Sequence, residues 1–417
     1  MRNRIRLALT LCATAVVALA ALVLARPASA ATLVEVTNFG SNPTGLRMHL
    51  YVPDRLATPR PPILVAVHYC TGSGPAFYSG TEFATLANQY GFIVVYPSAT
   101  RSGQCFDVSS PGALTHNGNS DPVGIVSMVR WVVQNRNGDA NRVYVTGASS
   151  GAMMTNVLLA TYPDVFKAGA AFMGVPHACF ATTDGSSWNS QCANGQRIMT
   201  AQQWGDLARS AFPGYSGPRP RMQLWHGTAD TTLRYPNFGE EIKQWTNVLG
   251  VSQTPSLTDT PQSGWTRTRY GGTGTQAPVE GISVQGVGHS LPLGGQAAMA
   301  IAFFGLNGTP PPGSSTTTTT SPPPGGGGCT TTVTPGTVWG DRYNTSVTVN
   351  GASTWTVVVA LTSPQRVSTV WSGTPSWDST GFVMTVRSNG SGNTFGFTTM
   401  FNGNSSARPT IRSCTAG

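Results

Sequence analysis

The hydrophobic pattern changes character twice along the chain. Up to about residue 306, continuous apolar runs alternate with stretches of helical period. "PILVAVH" (62–68) and "GFIVVYP" (91–97) are apolar throughout, as strands covered on both faces must be. "DPVGIVSMVRWVVQNRNGD" (121–139) places apolar residues at helical spacing and ends on an Asn-Gly stop. "RVYVTG" predicts a strand and "SGAMMTNVLLATY" a helix, followed by strands at 167–174, 221–227 and 281–286 and a closing helix at 294–306. This alternation predicts an α/β domain, a mostly parallel sheet with helices on both faces.

After residue 328 the pattern becomes short β-type runs, "SVTVNG", "WTVVVAL", "FVMTVRSN" and "TFGFTTMF", broken by Gly, Asn, Ser and Pro. That is the pattern of a small all-β sandwich. Between the two lies "NGTPPPGSSTTTTTSPPPGGGG" (307–328), which can build no core and has the composition of an extended, O-glycosylated spacer. The expected organisation is therefore a domain at 31–306, a linker at 307–328 and a second domain at 329–417.

The first thirty residues fit neither domain. Arg2, Arg4 and Arg6 precede a long apolar run that closes on Ala28-Ser29-Ala30, the grammar of a secretory signal peptide cleaved after Ala30. The competing reading is a membrane anchor; the small-residue cleavage site favours export. Loss of the leader's four arginines lowers the formal net charge from +9 to +5. No basic block remains, so a nucleic-acid partner is not indicated, and neither is a membrane. Cys12 also leaves, and six cysteines stay in an exported chain, a number that points to disulfides. Their spacing favours Cys70–Cys105, Cys179–Cys192 and Cys329–Cys414, although sequence alone leaves other connectivities open. No C-x-x-C or H-E-x-x-H occurs, so no metal is expected.

The candidate chemistry centres on Gly147-Ala148-Ser149-Ser150-Gly151, which fits G-x-S-x-G at a strand-to-helix junction. A strained elbow there needs small neighbours and presents the central serine, so Ser149 is the candidate nucleophile. The competing reading is an ordinary helix N-cap. Ser150, one residue on, would give its backbone N–H to an oxyanion hole. The second donor is expected from "HYCTGSG" (68–74), as Cys70 or Thr71. A serine needs a base, and this chain order calls for acid and then histidine. His289, in the glycine-rich "VQGVGHSLPLGG", is the candidate base; His226 lies in a strand and reads as structural, and His68 as shaping the loop that follows it. His49, His116 and His177 have no comparable setting. Asp230, in a short loop after the strand at 221–227, is the candidate acid. Its competitors are Asp206, Asp259 in a polar loop, and Glu240 and Glu241, which read as a solvated charged helix face.

At this level of detail the chain resembles known families. "HYCTGSGPAFY", "VTGASSGAMMTNVLLATYPDVFKAGAAFMGVP", "WNSQCA" and "LWHGTADTTLRYPNFGEEIKQW" are similar to the secreted carbohydrate esterases of family 1. These are acetyl xylan esterases above all, with related feruloyl esterases and polyhydroxybutyrate depolymerase-like esterases. The resemblance implies an α/β-hydrolase fold, a triad of Ser149, Asp230 and His289, no cofactor, and hydrolysis of acetyl esters on xylan. Feruloyl ester hydrolysis is the second reading and polyester depolymerisation the third. Trp188 and Trp204 are candidates either for the acyl pocket or for the core.

Residues 329–414 resemble a family 2 carbohydrate-binding module, through "VWGDRYNTSVTVNG", "STWTVVVAL", "VWSG" and "NGNSSARPTIRSC". In such modules exposed tryptophans on a flat face stack on sugar rings. Trp339 and Trp371 match two of them, Trp355 matches a core position, and Trp377 is the candidate for the missing third. The implied partners are plant cell-wall polysaccharides, xylan or cellulose, met outside the cell by a monomer.

Overall fold

In a computed structural model the chain divides into two compact units, with the break at residues 314 and 315. The structure describes residues 31–308, 329–338, 341–362, 364–378, 380–402 and 408–416. The expected leader and nearly all of the expected linker lie outside the described residues, as does Trp339.

The first unit is built on one ten-stranded sheet. In chain order its elements are β1 (Val34–Val36), β2 (Arg47–Tyr51), β3 (Ile63–Val67), α1 (Gly74–Gly80), α2 (Phe83–Tyr90), β4 (Ile93–Ser98), α3 (Asp121–Asn135), β5 (Val143–Ala148), α4 (Ser150–Thr161), β6 (Ala168–Phe172), α5 (Ser190–Ala193), α6 (Ala201–Ser210), β7 (Arg221–Gly227), α7 (Pro236–Val248), β8 (Leu257–Asp259), β9 (Trp265–Tyr270), β10 (Val279–Val284) and α8 (Gln296–Phe304). The strands lie in the order β1-β2-β4-β3-β5-β6-β7-β10-β9-β8. The six from β4 to β10 in that order run parallel, and the outer strands are antiparallel.

The continuous apolar runs have a direct cause. Ile63, Val65 and Val67 of β3 face a core shared with α3, α4 and Trp245 of α7. Leu64 and Ala66, pointing the other way, pack with Phe77, Phe83 and Ile301 of α1, α2 and α8. Both faces are dry, so no alternation is left to read. α4 goes further, with all twelve of its residues buried.

Strand order also fixes where a site can form. The chain passes from β3 outward to β4 and then back across β3 to β5. Such a switch point leaves a crevice beyond the strands' C-terminal ends. The loops after β3, β5, β7 and β10 all open there. At the sheet margins, Glu35 of β1 binds Arg47 of β2 through two hydrogen bonds (2.8 and 2.6 Å), and Asp259 of β8 binds Arg267 of β9 likewise (2.8 and 2.5 Å). Asp259 is thus on an edge strand rather than in the polar loop its neighbours predict.

The second unit has two four-stranded antiparallel sheets. Its strands are β11 (Thr330–Val338), β12 (Arg342–Asn350), β13 (Trp355–Ala360), β14 (Arg366–Trp371), β15 (Thr374–Trp377), β16 (Val383–Arg387), β17 (Thr394–Met400) and β18 (Thr410–Ala416). The orders are β11-β12-β17-β14 and β15-β16-β13-β18. Trp355, Val347, Val357, Phe395 and Phe397 fill the space between them. Trp371 and Trp377 are 38% and 42% exposed. They do not share a sheet, because Ser372, at φ 57°, and Gly373 carry the chain from β14 in one sheet to β15 in the other.

Candidate active site

β5 ends at Ala148 and α4 begins at Ser150, leaving Ser149 alone at the corner with φ 54° and ψ −116°. This is a backbone conformation that a serine adopts at a cost of roughly 1–3 kcal/mol. The two glycines of the motif make the corner possible. A Cβ on Gly151 would stand 2.1 Å from the Val67 carbonyl oxygen, and one on Gly147 would stand 2.3 Å from the Gly151 carbonyl oxygen. The two adjacent serines therefore differ completely. Ser149 is half-buried at the cleft. Ser150 is fully buried, and its hydroxyl oxygen accepts the Phe106 backbone N–H at 2.7 Å.

The structure brings Ser149, His289 and Asp230 together. His289 Nε2 lies 2.8 Å from Ser149 Oγ, and His289 Nδ1 lies 2.6 Å from Asp230 Oδ2. The carboxylate accepts from Nδ1–H, which leaves the Nε2 lone pair to accept from the serine hydroxyl. Two laced loops hold this geometry. The Thr228 N–H donates to the Val284 carbonyl, the Ala229 N–H to the Val287 carbonyl, and the Gly286 N–H to Thr228 Oγ1. Asp230 Oδ1 accepts the backbone N–H groups of Thr232 and Leu233 at 2.8 and 3.0 Å. Burial works to raise the Asp230 carboxyl, but hydrogen bonds from His226 and His289 outweigh it and hold the group well below the usual carboxylate range.

His226 has a part that its place in a strand hides. Its Nε2–H donates to the Leu233 carbonyl at 2.7 Å and lies 3.4 Å from Asp230 Oδ2. It fastens the loop that carries Asp230. The signal was its place in "LWHGTAD", four residues before the acid. His68 shapes its loop as the sequence predicts. Its Nδ1–H donates to the Tyr69 carbonyl and its Nε2 accepts from the Ala99 N–H. Burial lowers its pKa to about 4, so the ring is neutral.

The oxyanion donors need one correction. Among the described residues, the backbone N–H groups of Ser150 and Cys70 have no acceptor within the chain, and both remain candidates. The Thr71 N–H is taken: it donates to the Gly103 carbonyl at 2.8 Å. The disulfide Cys70–Cys105 ties the same two segments together. Cys179–Cys192 and Cys329–Cys414 are also bonded.

The competing acids fall apart by location. Asp206 is exposed on α6 and paired with Arg209 at 2.7 Å. Glu240 and Glu241 are not a solvated face; both are buried. Glu240 accepts from Trp204 Nε1 at 2.7 Å and pairs with Lys243 at 2.6 Å. Glu241 accepts from Asn156 Nδ2 at 2.7 Å, and its second oxygen has no partner among the described residues. Burial pushes its carboxyl up to about 8. Neither carboxylate reaches His289.

The cleft encloses about 510 Å³. Phe77, Met153, Met173 and Leu291 give it a buried apolar lining, and Tyr69 and Trp188 stand at its exposed margin. Trp188 is 49% exposed, whereas Trp204 belongs to the core. Among the described residues no cluster of His, Cys, Asp and Glu could hold a metal ion, and no helix is long and apolar enough to cross a membrane.

This sheet, with a serine on its elbow and an imidazole against it, defines the class of the α/β-hydrolase esterases. Comparison with known proteins narrows the class. A family model described as esterase PHB depolymerase matches residues 46–190. The chain is similar to acetylxylan esterase A of Aspergillus ficuum, 48% identical over 273 residues that cover 64% of this chain and 88% of that protein. It is similar to feruloyl esterase B of Talaromyces stipitatus, 46% identical over 282 residues covering 67% and 77%. Among solved structures, an acetyl xylan esterase from Aspergillus awamori is 45% identical, with 66% of this chain and 99% of that chain covered and a TM-score of 0.62. An internal xylan-binding domain from xylanase D of Cellulomonas fimi is 41% identical over 22% of this chain and 99% of its own, with a TM-score of 0.20. The chain belongs to the family of carboxylic ester hydrolases that takes in the acetylxylan and feruloyl esterases.

Proposed function

We propose that the first unit removes acetyl groups from xylan by two-step acyl transfer, with Ser149 as nucleophile, His289 as base and Asp230 as its orienting acid. The observation that carries this reading is the unbroken hydrogen-bond chain from Asp230 through His289 to Ser149 at the floor of the cleft. As Ser149 Oγ bonds to the ester carbonyl carbon, its proton passes to His289 Nε2. The carbonyl oxygen, now negative, lies toward the N–H groups of Ser150 and Cys70. The tetrahedral intermediate collapses with cleavage of the bond to the sugar oxygen, which takes the proton from His289. Water then repeats the sequence on the acyl-serine, releasing acetate and restoring Ser149. Asp230 stays ionised throughout and stabilises the imidazolium. These steps call for no cofactor.

The second reading is feruloyl ester hydrolysis. It is favoured by the similarity to a feruloyl esterase and by the open margin at Trp188. The second unit would bind xylan or cellulose, with Trp371 and Trp377 offering apolar ring faces to the C–H faces of sugars. Three disulfides fit an exported protein that works outside the cell.

The test is kcat/KM on acetylated xylan and on methyl ferulate, with Ser149→Ala as control. Preference for the acetyl ester supports the first reading. Comparable or faster ferulate turnover supports the second. Ester hydrolysis that survives in Ser149→Ala refutes the choice of nucleophile.

A further inference from the structure

The loop that carries Cys70 separates two depressions. One is the cleft above Ser149; the other, of about 540 Å³, lies on the far side, and Thr71 lines both. The partition is rigid. The Thr71 N–H is bonded to the Gly103 carbonyl, and Cys70 is covalently joined to Cys105. Thr71 sits at φ 62° and Gln104, across from it, at φ 47°. A β-branched residue in the left-handed region is an outlier, and such strain persists where the surroundings enforce it, commonly at ligand sites.

The chemistry of the second groove is that of a neutral polyol site. No carboxylate or lysine lines it. Its one guanidinium, Arg47, is held by Glu35 through two hydrogen bonds, so it is not a free anion receptor. His49 in the groove lining is buried, and that burial lowers its pKa, so the groove's charge is confined to the Arg47 guanidinium that Glu35 already pairs. The Thr71 hydroxyl and the Gln104 side-chain amide make no hydrogen bonds among the described residues, and Ser73 uses only its acceptor side, for the Ala76 N–H. Donors and acceptors without net charge match sugar hydroxyls and suit phosphates or carboxylates poorly.

We infer that this groove is a second carbohydrate subsite, which takes the polysaccharide main chain where it leaves the active cleft over Thr71. The inference rests on the reading of the first unit as a polysaccharide esterase. Two substitutions in the full chain test it: Gln104→Ala removes an exposed amide, and Ala76→Trp fills the groove from α1. Substrates are acetylated xylo-oligosaccharides of increasing length, with ethyl acetate as the small ester. In the parent, kcat/KM climbs with chain length. Loss of one or two hydrogen bonds flattens that climb by about tenfold on the longest substrate, with ethyl acetate turnover within about twofold of the parent. Unesterified xylohexaose, used as an inhibitor of ethyl acetate hydrolysis, reads the groove whatever the acyl preference, and both variants need about tenfold more of it. An unchanged climb and unchanged inhibition in both variants overturn the subsite and leave the esterase reading standing. Equal losses on ethyl acetate overturn it too, because the groove would then be acting on the chemistry. A parent that cleaves ethyl acetate but no oligosaccharide ester overturns the reading as a polysaccharide esterase and the subsite together.

Discussion

Glu241 makes the pH dependence of stability a sharp test of the structure. Its carboxyl is fully buried between α7 and the nucleophile helix α4, with one hydrogen bond, from Asn156. Burial raises its pKa from the usual 4.5 to about 8. Below about pH 4.5 the folded and unfolded chains both keep the proton, and the residue is neutral in each. Between there and about pH 8 the unfolded chain releases the proton while the folded chain retains it. Each pH unit in that window then favours unfolding by up to about 1.4 kcal/mol, for a total of roughly 5 kcal/mol. Glu241→Gln keeps the acceptor for Asn156 and removes the titration. Calorimetric melts of parent and variant follow the esterase unit's transition, and every other titrating group cancels in the comparison. The two melt alike near pH 4.5. At pH 8 the variant is ahead by roughly 10 °C, at about 2 °C per kcal/mol for a unit of this size. A melting difference that stays constant from pH 4.5 to 8 would refute the burial of an unpaired carboxyl.

Two further outcomes follow from the geometry of the site, and a third from the proposed role of the second unit. Asp230→Asn retains an acceptor for the Thr232 and Leu233 N–H groups, so near-UV circular dichroism is unchanged, yet the histidine tautomer is wrong and kcat falls about 10³–10⁴-fold. Ser150→Ala strips the buried Phe106 N–H of its acceptor and lowers stability in urea melts by about 1–3 kcal/mol, while kcat stays within a few-fold because the backbone N–H remains. Deleting residues 307–417 lowers activity on insoluble acetylated wall material and leaves soluble esters nearly untouched; equal loss on both would argue against a targeting role for the second unit.

The parts of the fold legible in the sequence are those governed by local pattern. β3, β4, β5 and β7 are strands buried on both faces, and the elbow at Ser149 is marked by glycines whose need is steric and local. The margins were harder to read: "VEV" and "LTD" are three-residue strands with charged members, and their ion-pair partners Arg47 and Arg267 lie 12 and 8 residues away. Glu240 and Glu241 depart from the local pattern for the same reason. Two adjacent acids on a helix look solvated unless Trp204 and Asn156, 36 and 85 residues distant, are known to face them. In the site, the nucleophile, base and acid could be selected by chain order and loop setting. That the Thr71 N–H is spoken for depends on where Gly103 folds back, which no spacing encodes.

The ion pairs at the two sheet margins bear on how this protein behaves when crowded. An open sheet ends in two rows of unpaired backbone groups, each a template for a strand from another molecule. Here each margin stops after a strand of three residues. Each short strand is clasped inward by an arginine from its neighbour. An approaching chain would find little backbone to pair with and would have to desolvate a carboxylate to reach it. Edge-to-edge growth, the common route from a folded β protein to an insoluble one, is thus opposed at both ends of the first unit's sheet.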